Sequence, residues 1–362
     1  MRLKNINKCD LNTMVGNVNF FLRALTVNID KRNTKRNFTI TVYLLSQWVI
    51  YFLMKHLERM LTEITILYKI RFKNIFFRKL IANVVERYLR CDAQIDPGSR
   101  LHQNIQRHLR TVKNVIFLLL LFVTFMFTTI LHMSFLGLEP MIESPNYEIA
   151  TVIITITISS ATYYVANCTA FMVMLLGYTE AQILSLSEEL LNVWNDAEKE
   201  TEHIDVESRS SALNNFISER LTFIIKLHNE NITLLKRIEG VLRVSMALEF
   251  LFLMAGLIAA LLGGIKHTYL EIPFAFAQIF MNCYLGQKII NASETFESAV
   301  YDCKWELFDK TNRRTVLIVL QNSQKTLNLS AGGVAILSFQ CLMSVIRSSY
   351  SFYTTLQSTL KY

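Results

Sequence analysis

Glycine and proline are scarce in this chain, 11 and 4 among 362 residues, against averages of roughly 7% and 5%. That scarcity excludes a collagen-like or linker-rich chain, and no low-complexity tract or fixed-period repeat interrupts the sequence. One continuous helical body, a single domain over residues 1–362, is expected. Charge is thin too: Asp, Glu, Lys and Arg make up 18%, where a soluble protein carries about 25%. The signatures of common chemistry are missing. There is no HExxH, GxxxxGK[ST], GxSxG or CxxC, and the seven histidines are scattered without metal-ligand spacing. No enzymatic activity, cofactor or metal is expected.

What is present in quantity is apolar sequence. Hydrophobic residues make up 52% and mean hydropathy is +0.30, as in an integral membrane protein. The runs at 115–138, 149–176, 244–265 and 272–290 are each long enough for a helix to cross a core about 30 Å thick. Residues 38–54 and 333–358 make two further spans. A seventh candidate, 57–77, carries Lys69, Arg71 and Lys73, so hydropathy alone does not select it.

Charge placement does. Lys and Arg number 8 in residues 1–37, 11 in 69–113, 7 in 177–243 and 6 in 286–333. Basic residues collect on the cytoplasmic side because they are hard to translocate. Two crossings must then separate the first two stretches, and 57–77 is the second of them. The expected fold class is an all-α integral membrane protein with seven transmembrane helices, amino terminus cytoplasmic and carboxyl terminus extracellular. The net charge of +8 is spent on this sidedness and implies no nucleic-acid partner. On this layout Cys9, Cys91, Cys168, Cys283, Cys303 and Cys341 avoid the extracellular loops, so no disulfide is expected. The sequons at Asn37, Asn167, Asn231, Asn291 and Asn328 also avoid them and should carry no glycan.

Seven helices raise the possibility of a metabotropic, G-protein-linked receptor. That class places its amino terminus outside, and this chain has neither an E/DRY-like triplet closing its third span nor an NPxxY-like motif in its seventh. A transporter would show inverted repeats or intramembrane carboxylate pairs. Glu249 is the one acid inside a strong span, and the simpler reading is that the fifth helix extends past the membrane there.

Between spans four and five, "EAQILSLSEELLN" and "LNNFISERLTFIIKLHNENITLLKRIEGVL" repeat apolar residues at helical spacing. Residues 177–243 should continue helices four and five into the cytosol and pack with helices from 291–332. The result is an intracellular anchor bundle, which either stabilises one subunit or joins several. In the seventh span Ser348, Phe352, Thr355 and Thr359 fall at i, i+4, i+7 and i+11. A polar stripe of this kind lines a wet pore or lets helices pack closely.

The run Tyr301–Leu307, "YDCKWEL", followed by "RRTVLIVLQNSQKTLNLSAGG" and "FQCLMSVIRSSYSFYTTLQS", resembles the carboxyl-terminal signature of insect odorant receptors. "YVANCTAFMVMLLGYTEAQILSLSEEL" and "IIKLHNENITLLKRIE" resemble that family's fourth-helix exit and the start of its fifth helix. Residues 110–362 carry the likeness; Thr326, Asn322 and Glu306 depart from the family's usual Pro, Arg and Tyr. The resemblance implies an odorant-gated, non-selective cation channel subunit in the plasma membrane, assembled as a tetramer with a co-receptor subunit. It implies that the anchor bundle holds the tetramer and that Ser348, Phe352, Thr355 and Thr359 line the pore, with Tyr350 and Tyr353 packed instead. Arg347 should reach the cytoplasmic vestibule or an interhelical carbonyl. It also implies a small volatile organic ligand in the outer half of the helices. Candidates there are Met126, Thr129 and Met133 on helix three, Thr151, Thr155, Ser159 and Thr162 on helix four, and Phe274, Gln278 and Met281 on helix six. The same residues also suit ordinary helix packing, and a mostly apolar cavity of this kind binds by burial.

Overall fold

The computed structural model describes residues 86, 95–136, 146–262 and 271–360. The first two expected spans, 38–54 and 57–77, lie outside the described residues. Five long helices carry most of what is described: α1 (Arg100–Leu136), α2 (Asn146–Glu200), α3 (Val206–Leu262), α4 (Glu271–Tyr301) and, after a shorter α5 (Lys310–Ser323), α6 (Phe339–Leu360). A 3-10 turn at Trp305–Leu307 separates α4 from α5, and a two-stranded hairpin, β1 (Ser330–Ala331) with β2 (Ala335–Ile336), separates α5 from α6.

Local chemistry explains the element boundaries. Ahead of α1 the sequence Asp-Pro-Gly-Ser turns, with Ser99 N–H donating to Asp96 O, and the Ser99 hydroxyl then accepts from His102 N–H at 3.2 Å. A serine in that position satisfies an otherwise orphaned donor of the first helical turn. α2 has 55 residues and α3 has 57, so at 1.5 Å per residue each contains about 80 Å of helix along its own path. Both are far longer than a membrane requires, as the amphipathic continuations predicted. Asp309 caps α5 by accepting from Asn312 N–H at 3.0 Å.

The chain divides into two compact units, residues 1–89 with 113–174, and residues 90–112 with 175–362. In the first, helix is continuous over the described parts of α1 and α2. In the second, the inner half of α2 packs with α3, α4 and α5 around fully buried Tyr178, Ile183, Leu186, Ile217, Ile224, Phe296 and Phe308. α3 also packs against α6 and β1. Gly177 lets the start of α1 come close, because a β-carbon there would stand 2.6 Å from a methyl of Val112.

Among the described residues, the stretch Thr169–Glu200 passes a length-and-composition test for a membrane-crossing helix, and 89% of its apolar window is buried within the protein. The bent pair Val206–Gly240 and Leu242–Ile258 passes jointly.

Candidate functional site

The root of α6 is built from the sequence Ser-Ala-Gly-Gly. β1 and β2 pair antiparallel, Ser330 opposite Ile336 and Ala331 opposite Ala335, and the turn between them needs left-handed backbone. Gly332 and Gly333 supply it at φ +66° and +77°, a region that costs a residue with a side chain about 1 kcal/mol or more. α3 grips this turn. Gly332 N–H donates to Arg243 O at 3.0 Å, the Ser330 hydroxyl donates to the Glu239 carboxylate, and the Arg243 guanidinium covers Gly333. Residues 333–338 therefore run through the hairpin and its exit, and helix starts at Phe339.

α4 holds the other side. Gly286 has no side chain and the Leu337 backbone presses against it; Phe339 N–H donates to Gln287 Oε1 at 3.2 Å, and the Phe280 and Phe339 rings stack at 6.4 Å. Deeper in the same layer, Asn282 donates to the Glu249 carboxylate at 3.1 Å, which ties α3 to α4.

α6 then presents two faces. Leu342, Val345 and Ser349 are buried against the chain's own helices. Ser348, Phe352, Thr355 and Thr359 are all exposed, Phe352 by 58%. Thr355 and Thr359 each donate back to a carbonyl one turn earlier, on Ser351 and Thr355, at 2.9 Å. Tyr350 is 64% exposed, where packing was expected, and lies 6.4 Å from the ring of half-buried Tyr353. The four stripe residues thus share one outward face, as their spacing predicted. Arg347 is exposed as well.

The candidate ligand residues fall on α1 (Met126, Thr129, Met133), α2 (Thr151, Thr155, Ser159, Thr162) and α4 (Phe274, Gln278, Met281). Only Gln278, buried, and Met281, half-buried, have described side chains. Among the described residues no group of His, Cys, Asp or Glu is arranged to hold a metal, and Cys283, Cys303 and Cys341 are free thiols. Burial pushes the Cys303 thiol up to about 11, and it donates to Val300 O, so it is chemically quiet.

The helical bundle below is pinned by charge, a feature the sequence reading did not find. Arg100 donates to both oxygens of Glu189 at 2.8 Å and to those of Asp196 at 3.1 and 2.6 Å, while Arg220 donates to Glu189 at 2.5 Å. Glu189 is only 1% exposed. These hydrogen bonds, to Glu189 first and Asp196 second, raise the Arg100 guanidinium above its ordinary value. One buried carboxylate on α2 thereby joins the start of α1 to α3. Its partners lie 89 and 31 residues away, and no local pattern announces such a pairing.

A family model described as "7tm Odorant receptor" matches residues 38–350. Among curated relatives, Odorant receptor 67c of Drosophila melanogaster is 27% identical over 150 residues, 39% of this chain and 37% of that protein. Odorant receptor 2a of the same fly is 30% identical over 95 residues, covering 25% and 24%. The Odorant receptor coreceptor of Aedes aegypti is 28% identical over 83 residues, covering 23% and 17%. The chain matches between about a sixth and two-fifths of the length of these curated relatives. The fold is similar to that of the insect olfactory receptor OR5 of Machilis hrabei, at TM-score 0.62, 12% identity and coverage of 96% of this chain and 98% of that one. The same receptor in complex with eugenol superposes at TM-score 0.54 with 13% identity and the same coverage. This all-α membrane protein belongs to the 7tm Odorant receptor family.

Proposed function

We propose that this chain is an odorant-gated, non-selective cation channel subunit of the plasma membrane. It has seven membrane helices, its amino terminus in the cytosol and its carboxyl terminus outside, and works in a tetramer beside a co-receptor subunit. The observation that carries this reading is the division of α6 into a face packed on its own chain and a hydroxyl-bearing face with no covering element among the described residues. In a bilayer such a face is costly against lipid; four copies around an axis give it water and make it a conduction wall. Ser348, Phe352, Thr355 and Thr359 line that wall. Exposed Tyr301, Leu307 and Leu317 on the bundle give the anchor an apolar surface for neighbouring subunits.

The match to a co-receptor supports the partnership, and the eugenol complex of the Machilis receptor supports a small volatile organic molecule as ligand. The residues that the sequence puts forward for binding it are Met126, Thr129, Met133, Thr151, Thr155, Ser159 and Thr162, with Phe274, Gln278 and Met281 as further candidates. The metabotropic alternative is not favoured by the family match. Expression with and without a co-receptor subunit, with current recorded across an odour panel, tests the proposal. Odorant-evoked cation current is expected only with both chains and is expected to persist in excised patches without nucleotide. Loss of the current when G-protein cycling is blocked overturns the channel reading.

A further inference from the structure

Between α3, the end of α4 and α5 lies a cavity of about 650 Å³ that the channel reading leaves unused. Its floor is apolar, formed by Ile225, Ile232 and Leu235 of α3, Phe296 of α4, Val319 of α5 and Leu327 just beyond it. His228 completes the wall, stacked on Phe296 at 3.8 Å and kept uncharged by burial. Charge enters through three other groups, Lys236, Lys325 and Glu239. The Glu239 carboxylate is taken by the Ser330 hydroxyl. Lys236 and Lys325 are exposed and form no ion pair among the described residues.

An apolar chamber with two unpaired ammonium groups is complementary to a molecule with one hydrocarbon tail and one negative head. The tail gains from leaving water in proportion to the area it buries. The head gains from cations set beside a low-dielectric wall, where attraction exceeds that in bulk water. A neutral volatile would leave both lysines unused, and a polyanion would gain nothing from the floor. We propose that this cavity binds a long-chain carboxylate, a free fatty acid, with its tail on the Leu235 and Phe296 side and its head at Lys236 and Lys325. The site is separate from the odorant pocket and does not depend on it.

The test is photolabelling of the full chain, co-expressed with a co-receptor subunit, in isolated membranes with diazirine-bearing palmitic acid, mapped by peptide mass spectrometry. Label is expected in the tryptic peptides 227–236, 289–304 and 315–325, which carry Leu235, Phe296 and Val319 of the chamber wall, and roughly tenfold less with the diazirine-bearing hexadecanol. The Lys236→Glu, Lys325→Glu double variant, altered only at exposed positions, is expected to lose label about tenfold. Val319→Trp, which fills the chamber and keeps both lysines, is expected to lose it as well. Equal labelling by acid and alcohol would mean apolar partitioning alone and overturns the proposal. So does undiminished label in the charge-reversed chain, or an unlabelled chamber, the sign that another subunit closes this face. None of these readouts requires odorant current, so they stand apart from the channel test.

Discussion

His228 lies flat on Phe296, ring centroids 3.8 Å apart and planes 8° from parallel, with its Nδ1 buried and without a hydrogen-bond partner among the described residues. Burial holds the imidazole down at about 4, against about 6.5 in an unfolded chain. Between those values the unfolded state takes up a proton that the native state refuses. Stability is therefore complete above pH 6.5 and falls as pH drops toward 4, by up to about 3 kcal/mol. Thermal melts of the purified protein at pH 7.5 and pH 5 should show the loss, and His228→Phe, which keeps a flat ring and cannot titrate, should shrink it. An unchanged pH dependence in that variant would assign the loss elsewhere.

Glu189→Ala removes the carboxylate shared by Arg100 and Arg220. Both arginines are about one-third exposed and recover some hydration, which reduces the 3–5 kcal/mol typical of a broken buried pair to about 2 kcal/mol. The melting temperature should fall by about 3 °C. Glu188→Gln, which touches only the exposed pair with Arg107 at 3.8 Å and His108 at 3.4 Å, should move it by no more than about 1 °C. Similar effects from the two changes would contradict the pinning role.

Asn231 is 1% exposed and neither end of its amide has a partner among the described residues. Burying an unsatisfied amide costs about 1–3 kcal/mol, so Asn231→Leu should raise stability by about 1 kcal/mol. A drop of similar size in denaturation of the purified chain would show that the amide is satisfied in the assembled protein. Its sequon cannot carry a glycan while the side chain stays buried.

Gly286→Ala sets a methyl against the Leu337 backbone, which has no flexible end to yield. Overpacking of this kind costs about 1–3 kcal/mol and displaces the root of α6. Odorant-evoked current per surface subunit should fall severalfold. Gly256→Ala, also on a helix but with nothing among the described residues within 4 Å of the new methyl, is the matched control and should be silent.

Cysteine placed at Ser348 or Thr355 tests the conduction wall. A permeant cationic thiol reagent should remove about half or more of the odorant current. At Leu342, buried on the opposite face, the same reagent should do nothing. Equal block at both faces would remove α6 from the pore.

Much of the architecture was legible because it follows from periodicity. Apolar repeats at helical spacing require only that one face leave water, so the continuation of spans four and five into long helices was readable from "EAQILSLSEELLN" and "LNNFISERLTFIIKLHNENITLLKRIEGVL" and appears in α2 and α3. The stripe from Ser348 to Thr359 was readable for the same reason. Where helix would begin in the last span was not. Hydropathy accepts residues 333–338 as apolar, but two glycines at positive φ fold them into a turn.

By itself the chain's order of apolar and basic residues determined that this is a helical membrane protein and which residues of the last helix share a face. Those properties are local, set by 1.5 Å per residue and by the cost of moving charge through lipid. Only the tertiary structure decided that Glu189 meets Arg100 and Arg220, that Arg243 and Glu239 hold the Ser330–Gly333 turn, and that Tyr350 faces outward. Such pairings depend on which surfaces meet across tens of residues, and a residue's type records its chemistry but not its neighbour.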